Sequence, residues 1–468
     1  MRLAWFSPWP PQTSGVAGRS VELTAALAAQ GAGIDVFVDR RHVPARRAPD
    51  DAPAPGEVRV QSAHDFVWRH HRGQYDLAIY QLGNSTAHAS IWPYLLHYPG
   101  LAVLHDAHLH HARGAALVRP ESADPYRKAL ALDHPDVPAA VAELAVAGFG
   151  GSYVFLWPMV RSVVLASRAV GVHTRGGAAM LQAEFPDALI EYVALGSGRV
   201  DIGGEAARRD TRAALGLRDD ALVFGVFGGL TADKRVPEIL RAFTHVARRH
   251  PRAHLLLAGA PDGRLALPEL IDGLGLASRT TLAPNLDDEP FERAIAAVDV
   301  SLNLRWPTAR ETSGPWLQAL AASRATITFD LAHQAHLPAL DPQTWLPRPS
   351  ATGDDPIAVA IDILDEAHSL VLAMDRLAGD AGLRDRLGRA ARRYWEREHT
   401  VARMADDYVR LIERTLARPA SAALPAGTLP DPCRPARELT LALGPFDADR
   451  AAAFPLPDAS GASRIVVS

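Results

Sequence analysis

The sequence predicts an α/β protein: two doubly wound parallel sheets in series, each covered by helices on both faces. Three observations carry this expectation. Short apolar runs alternate with longer amphipathic stretches. The alternation restarts at mid-chain, and a glycine-rich stretch at 196–205 separates the two series. In the first series, strands are expected over 2–6, 34–38, 77–80, 102–104 and 169–172, with a helix at 19–29. These runs are almost wholly apolar, the mark of a sheet buried on both faces rather than on one. The second series has strands at 221–227, 253–258, 280–282, 298–302 and 325–328. A helix at 238–248 follows the first of these, and helical periodicity returns at 356–378, 382–397 and 401–416. From 417 onward Pro and Ala dominate and periodicity fades, so an irregular tail is expected. The expected division is an acceptor-side domain at 1–198, a second domain at 199–400, a closing helix at 401–416 and a tail at 417–468.

A chain of 468 residues is too long for one ordinary core. The net charge of −4 leaves no basic excess to neutralise phosphates, which argues against a general nucleic-acid binder. The single cysteine, Cys433, excludes an intramolecular disulfide framework and a cysteine-based zinc site. The first residues carry no long apolar run, so no secretory leader is expected. The longest uncharged run, 144–160, is slightly short for a membrane span and is broken by Gly148, Gly150, Gly151 and Pro158. A buried or pocket-lining segment is the expectation there, with contact to a membrane or lipid acceptor the minority reading.

Ligands of doubly wound sheets bind beyond the C-terminal ends of the strands, so chemistry is sought just after each strand. Of 49 basic residues only Lys128 and Lys234 are lysines. Lys128 reads as a chance survivor. Lys234 closes Gly228-Gly229-Leu230-Thr231-Ala232-Asp233-Lys234, where a strand runs through two glycines into a helix. Such a turn lets backbone N–H groups approach an anion, and the lysine adds charge. It is no Walker loop, since Gly-Lys-Ser/Thr is absent. A second turn of this kind is Arg310-Glu311-Thr312-Ser313-Gly314-Pro315, where Thr312 or Ser313 can cap and Pro315 suits a first helical turn. Glu311 there is either a favourable dipole partner or a hydroxyl-binding carboxylate. Two such turns in one domain suit a diphosphate with a polar group at each end. The Gly/Pro loop at 8–20 follows the first strand but lacks the G-x-G-x-x-G pattern, so a nicotinamide enzyme is not supported. Leu104-His105-Asp106-Ala107-His108-Leu109-His110-His111 ends another strand. His105 facing a substrate is the leading reading. A metal cluster in which His108 and His111 share a helix face is the minority one.

These segments resemble a retaining family-4 glycosyltransferase of GT-B architecture, over roughly residues 2–412. The resemblance implies that Lys234 meets the donor diphosphate and Glu311 the hydroxyls of the donor sugar. It places Gly15 beside the phosphates and His105 near the reacting centre, so His105, Lys234 and Glu311 are the expected catalytic residues. Gly15, Gly228, Gly229, Thr231, Lys234, Arg235, Glu311, Thr312, Ser313 and Gly314 are the expected donor-binding set. It implies no metal and no cofactor beyond a nucleotide-diphosphate sugar as donor. The acceptor is a carbohydrate, a lipid-linked glycan or a small molecule. The implied location is the cytoplasm, with peripheral contact at the inner face of the membrane as an option. Two positions depart from the family: Gly229 stands where it has arginine, and Ala319, after Gln318, where it has a second glutamate. Arg235 is the candidate replacement for the arginine. Two alternatives stay open, a degenerate GT-B protein that binds a nucleotide or a partner, and a sugar-nucleotide epimerase.

Overall fold

The computed structural model describes residues 1–12, 14–43, 51–119, 121–148, 151–198, 204–349 and 353–419. The middle of the glycine-rich stretch, Cys433 and the tail from 420 lie outside the described residues.

The first sheet contains β1 (Arg2–Phe6), β2 (Gly33–Val38), β3 (Val58–Ser62), β4 (Leu77–Leu82), β5 (Leu101–Leu104), β6 (Ala169–Val172) and β7 (Ile190–Tyr192). The second contains β8 (Leu222–Phe227), β9 (Ala253–Ala258), β10 (Thr280–Ala283), β11 (Val300–Asn303), β12 (Ala325–Phe329), β13 (Ala339–Leu340) and β14 (Ala358–Ile361). Their orders are β3-β2-β1-β4-β5-β6-β7 and β10-β9-β8-β11-β12-β14-β13, and both sheets pair in parallel throughout. The expected pair of doubly wound sheets is therefore present. Leu3, Ala4 and Trp5 of β1, like Val223 and Phe224 of β8, have no exposed surface, which is why these strands read as unbroken apolar runs.

Four strands were not expected. β3 alternates and carries Arg59 and Gln61, which fold onto buried Asp35; Arg59 meets it through Nε at 2.8 Å and Nη2 at 3.0 Å. A charged side chain in an edge strand, paired to a carboxylate on the next strand, hides its sheet character from a hydropathy reading. β7 and β13 are three and two residues long, below what periodicity resolves. β14 lies inside the expected helix 356–378, and the helix itself begins only at Glu366. A four-residue apolar run is ambiguous by periodicity alone. The first helix, Gly15–Ala29, starts one turn earlier than expected because Ser14 caps it by accepting from the Val16 N–H.

The last two helices tie the halves together. Helix Ala381–Glu398 packs on β12 and on helix Gly314–Ala321. Gly388 permits this approach, since a Cβ there would lie 2.1 Å from the Ser323 carbonyl oxygen. The chain then returns to the first sheet: helix Val401–Leu416 lies against helix Gly15–Ala29 and β6. Asp407 accepts the Ala194 N–H at 3.0 Å, and the Trp395 indole donates to the Ser197 hydroxyl at 2.8 Å. One apolar core consequently joins Leu3 and Trp5 to Leu317, Tyr394 and Tyr408.

Among the described residues no helix is long and apolar enough to cross a membrane. The run 144–160 is not uniformly buried. Met159 and Val160 are, whereas Leu144 and Leu156 are 44% and 69% exposed. Lys128 is exposed on helix Asp124–Asp133.

Candidate functional site

Strand order reverses between β8 and β11, and a crevice opens where the chain leaves these strands in opposite directions. A cleft occupies this place, lined among others by Phe227, Lys234, Arg305, Glu311, Ser313 and His333.

Lys234 ends a single 3₁₀ turn, Ala232–Lys234, just after β8. Its ammonium donates to the Phe227 carbonyl, folding back over Gly228. Gly228 has φ of 83°, and a Cβ there would lie 2.7 Å from Lys234 Nζ. Glycine is thus required twice over, by backbone conformation and by the lysine above it. Burial, and next the neighbouring Arg305, pull the Lys234 ammonium down to about 7, against the opposing pull of Asp233 and Glu311.

Arg305 follows β11 by two residues. Its Nε lies 2.7 Å from Glu311 Oε1 and 3.7 Å from Asp233 Oδ2. The loop is pinned by the Trp306 N–H donating to the Asp233 carbonyl at 2.7 Å. Glu311 is one-tenth exposed, and its other oxygen accepts the Thr308 hydroxyl at 3.1 Å. Ser313 caps helix Gly314–Ala321, with Pro315 in its first turn, as the sequence predicts. Thr312 does something else: its hydroxyl donates to the His173 carbonyl of the first half at 2.8 Å.

The first half meets the loop that carries Arg305 and Glu311. The Ala107 N–H donates to the Ala309 carbonyl across the cleft at 2.8 Å. Asp106, beside it, accepts the Asn84 N–H at 2.6 Å. Burial first, and then the charge of Glu311, raise its carboxyl to about 7. His105 places Nε2 2.8 Å from Gln81 Oε1 and its ring 4.7 Å from that of His173. Burial and the neighbours His173, His88 and Arg19 hold it well below the ordinary histidine value, so it is a neutral imidazole. Gly15 is the exposed first residue of its helix, with open space around a Cβ position. The same helix sends Arg19 across: Nη1 donates to the Gly196 carbonyl, and Nη2 lies 3.0 Å from where a Gly314 Cβ would stand.

Several expected residues do other work. Arg235 gives Nε and Nη2 to Glu366 at 2.8 and 2.6 Å, with Glu238 at 3.3 Å, and does not line the cleft. The cation beside Lys234 is Arg305 instead. Thr231 precedes the 3₁₀ turn without a side-chain capping bond. Gly229 is exposed, and its nearest neighbour to a Cβ would be 3.9 Å away. Ala319 is fully buried with Phe227, Ala258 and Ile295, while Gln318 donates to Glu292 at 3.1 Å. The shared helix face for His108 and His111 is not formed. His108 precedes helix His110–Leu117 and is buried, whereas His111 is exposed. Among the described residues no group of three or more His, Cys, Asp or Glu is placed to hold a metal ion. Arg305 lines the cleft beyond the residues singled out, and Asp106, Arg19 and His173 of the first half lie near its loops. The strand-end rule pointed to Arg305, but a reading that began the motif at Arg310 passed over it.

The sequence matches no protein-family profile and no curated protein. Solved structures do match. Sucrose-phosphate synthase from Thermosynechococcus elongatus superposes with a TM-score of 0.59 over 89% of this chain and 99% of its own, at 16% identity. The fold is GT-B. Anabaena HepE in complex with UDP gives 0.56 over 88% of this chain and all of its own, at 14% identity. WaaG, a glycosyltransferase involved in lipopolysaccharide biosynthesis, gives 0.55 over 88% and 99%, at 13% identity.

Proposed function

We propose that this protein transfers a hexose from a nucleoside-diphosphate sugar to a carbohydrate, lipid-linked or small-molecule acceptor, with retention at the transferring carbon. The observation that carries the reading is the meeting of Lys234, Arg305 and Glu311 in one cleft at the switch point of the second sheet. Asp106 of the first half is near enough for the charges of Glu311 and Arg305 to act on its carboxyl. The UDP held by HepE supports a nucleoside diphosphate as the ligand class.

Cleaving the sugar–phosphate bond leaves negative charge on the departing diphosphate. Lys234 and the Gly314 N–H at the start of helix Gly314–Ala321 meet that charge. The ammonium is fixed before reaction on the Phe227 carbonyl, and such preorganisation lowers a barrier by several kcal/mol. Glu311, held by Arg305 and Thr308, offers its carboxylate to sugar hydroxyls. Neutral His105, with Gln81 fixing one ring nitrogen, offers an uncharged polar group to the acceptor side. Glu311 is given no nucleophilic role.

The test is donor turnover by purified protein across a panel of nucleotide sugars and acceptors, read as released nucleoside diphosphate and transferred sugar. Turnover that Lys234→Ala reduces at least about a hundredfold is expected. If no donor turns over and Lys234→Ala leaves nucleotide binding intact, the assignment fails. Gly229 and Ala319 motivate a second reading, a binding protein that has lost catalysis. Tight nucleotide binding with neither transfer nor donor hydrolysis supports that one.

A further inference from the structure

We infer that Arg305 is the second cation of the donor site, and that its guanidinium grips the diphosphate together with Lys234. This rests on the donor reading above and goes beyond it by assigning a phosphate ligand to a loop that the sequence motifs leave out.

The first argument is position. Arg305 lies two residues past the end of β11 and lines the same cleft as Lys234, which lies seven residues past the end of β8. These are the two strands between which the sheet order reverses. A ligand at the switch point therefore meets both.

Orientation is the second. Glu311 and Asp233 hold the guanidinium by its Nε edge, at 2.7 and 3.7 Å. Among the described residues no hydrogen bond engages its Nη groups, and 36% of the side chain remains exposed. A guanidinium carries five N–H donors in a rigid fork that fits phosphate oxygens in pairs. The contrast with Arg235 is direct, since Glu366 engages both its Nε and its Nη2. Gly229, the neighbouring position, contributes no side chain.

Charge is the third. Lys234 and Arg305 repel each other, and after burial this repulsion is the next reason the lysine gives up its proton so readily. Glu311 and Asp233 offset Arg305 from its Nε side, while the Lys234 ammonium rests on the Phe227 carbonyl, so an anion on the Nη side adds opposite charge to both cations. A diphosphate satisfies both cations at once and is held by groups already positioned.

A purely structural role is the competing explanation: Arg305 neutralises Glu311 and shapes the loop. The two are separated by what is lost. The full-length wild type is first titrated with UDP, GDP and ADP, and the diphosphate it binds is paired with its parent nucleoside. Arg305→Gln is expected to weaken the diphosphate about thirtyfold or more while changing nucleoside affinity less than about twofold. Arg305→Lys, which keeps the charge and loses the fork, is expected to lose about tenfold on the diphosphate alone. Equal loss for nucleoside and diphosphate, or wild-type diphosphate affinity in either variant, overturns the inference. If Arg305→Gln does not fold, Arg305→Lys decides on the same criterion. A wild type that binds none of the three diphosphates refutes the donor reading itself, and with it this inference.

Discussion

Raising the pH should weaken donor binding, and the cleft sets both the sign and the size. The Lys234 ammonium, ordinarily at 10.5, is held at about 7 by burial and by Arg305. At pH 8 roughly nine in ten free sites then carry a neutral lysine. A bound diphosphate brings the charge back, so above pH 7 binding takes up a proton. Affinity consequently stands at its plateau below 7 and falls as pH rises. The limiting slope is about tenfold per pH unit, or ~1.4 kcal/mol. Between pH 7 and 8.5 the dissociation constant should grow about fifteenfold. The diphosphate's own last ionisation, near pH 6 for a phosphate monoester, acts below this window. Asp106, raised to about 7 by burial and Glu311, loses its proton in the same window and adds negative charge facing the anion. It steepens the fall, and Asp106→Asn removes its share while leaving that of Lys234. The assay is calorimetric titration with the nucleoside diphosphate at three pH values, in buffers of different ionisation heat. About one proton should be taken up per ligand at pH 8. An affinity independent of pH from 7 to 8.5, with no dependence of heat on buffer, refutes the reasoning.

Gly228→Ala should cost about 1–2 kcal/mol of stability through its positive φ, and should also push the ammonium off the Phe227 carbonyl. Diphosphate binding should fall at least about tenfold, whereas Gly229→Ala, with 3.9 Å of clearance, should match the wild type in denaturation and titration alike. Thr312→Val removes the hydrogen bond to the His173 carbonyl that joins the halves; kcat/KM for the donor should drop about fivefold, in line with ~1 kcal/mol, and unchanged kinetics would contradict the role given to it. Acid should destabilise the fold. Burial is the first cause that lowers His108 to about 3 and His173, His333 and His399 to about 4. Below 6.5 the unfolded chain binds protons these rings refuse, so their stabilisation, full above 6.5, is lost as pH falls towards 4. Asp106, Asp133 and Glu292, raised by burial, work in the opposite sense, while His88 and His336, also lowered to about 4 by burial, add to the acid effect. Urea midpoints at pH 7, 6 and 5 should decrease in that order, and equal midpoints would show that the rings are not buried in solution.

Most of the architecture could be read from the sequence because buried parallel strands are written as apolar runs, as in 253–258, which the structure returns as β9 without change. What escaped was written in another form. β3 hides behind Arg59 and Gln61, whose partner Asp35 lies on a different strand. β14 looked like the start of a helix. Lys234, Glu311 and Ser313, which line the cleft, could be picked out because each sits after a strand in a local motif. Arg235 was misjudged, since nothing near it in sequence reveals Glu366, 131 residues away. Arg19 comes near Gly314 only through the packing of one half on the other. No local pattern records that contact.

The central claim is that a nucleoside diphosphate lies over Lys234 with its phosphates at the start of helix Gly314–Ala321. A crystal structure with the bound diphosphate measures this directly. The account predicts phosphate oxygens within about 3 Å of Lys234 Nζ and of the Arg305 Nη groups. A nucleotide seated elsewhere, with Lys234 still turned to the Phe227 carbonyl and Arg305 touching only Glu311, would contradict it.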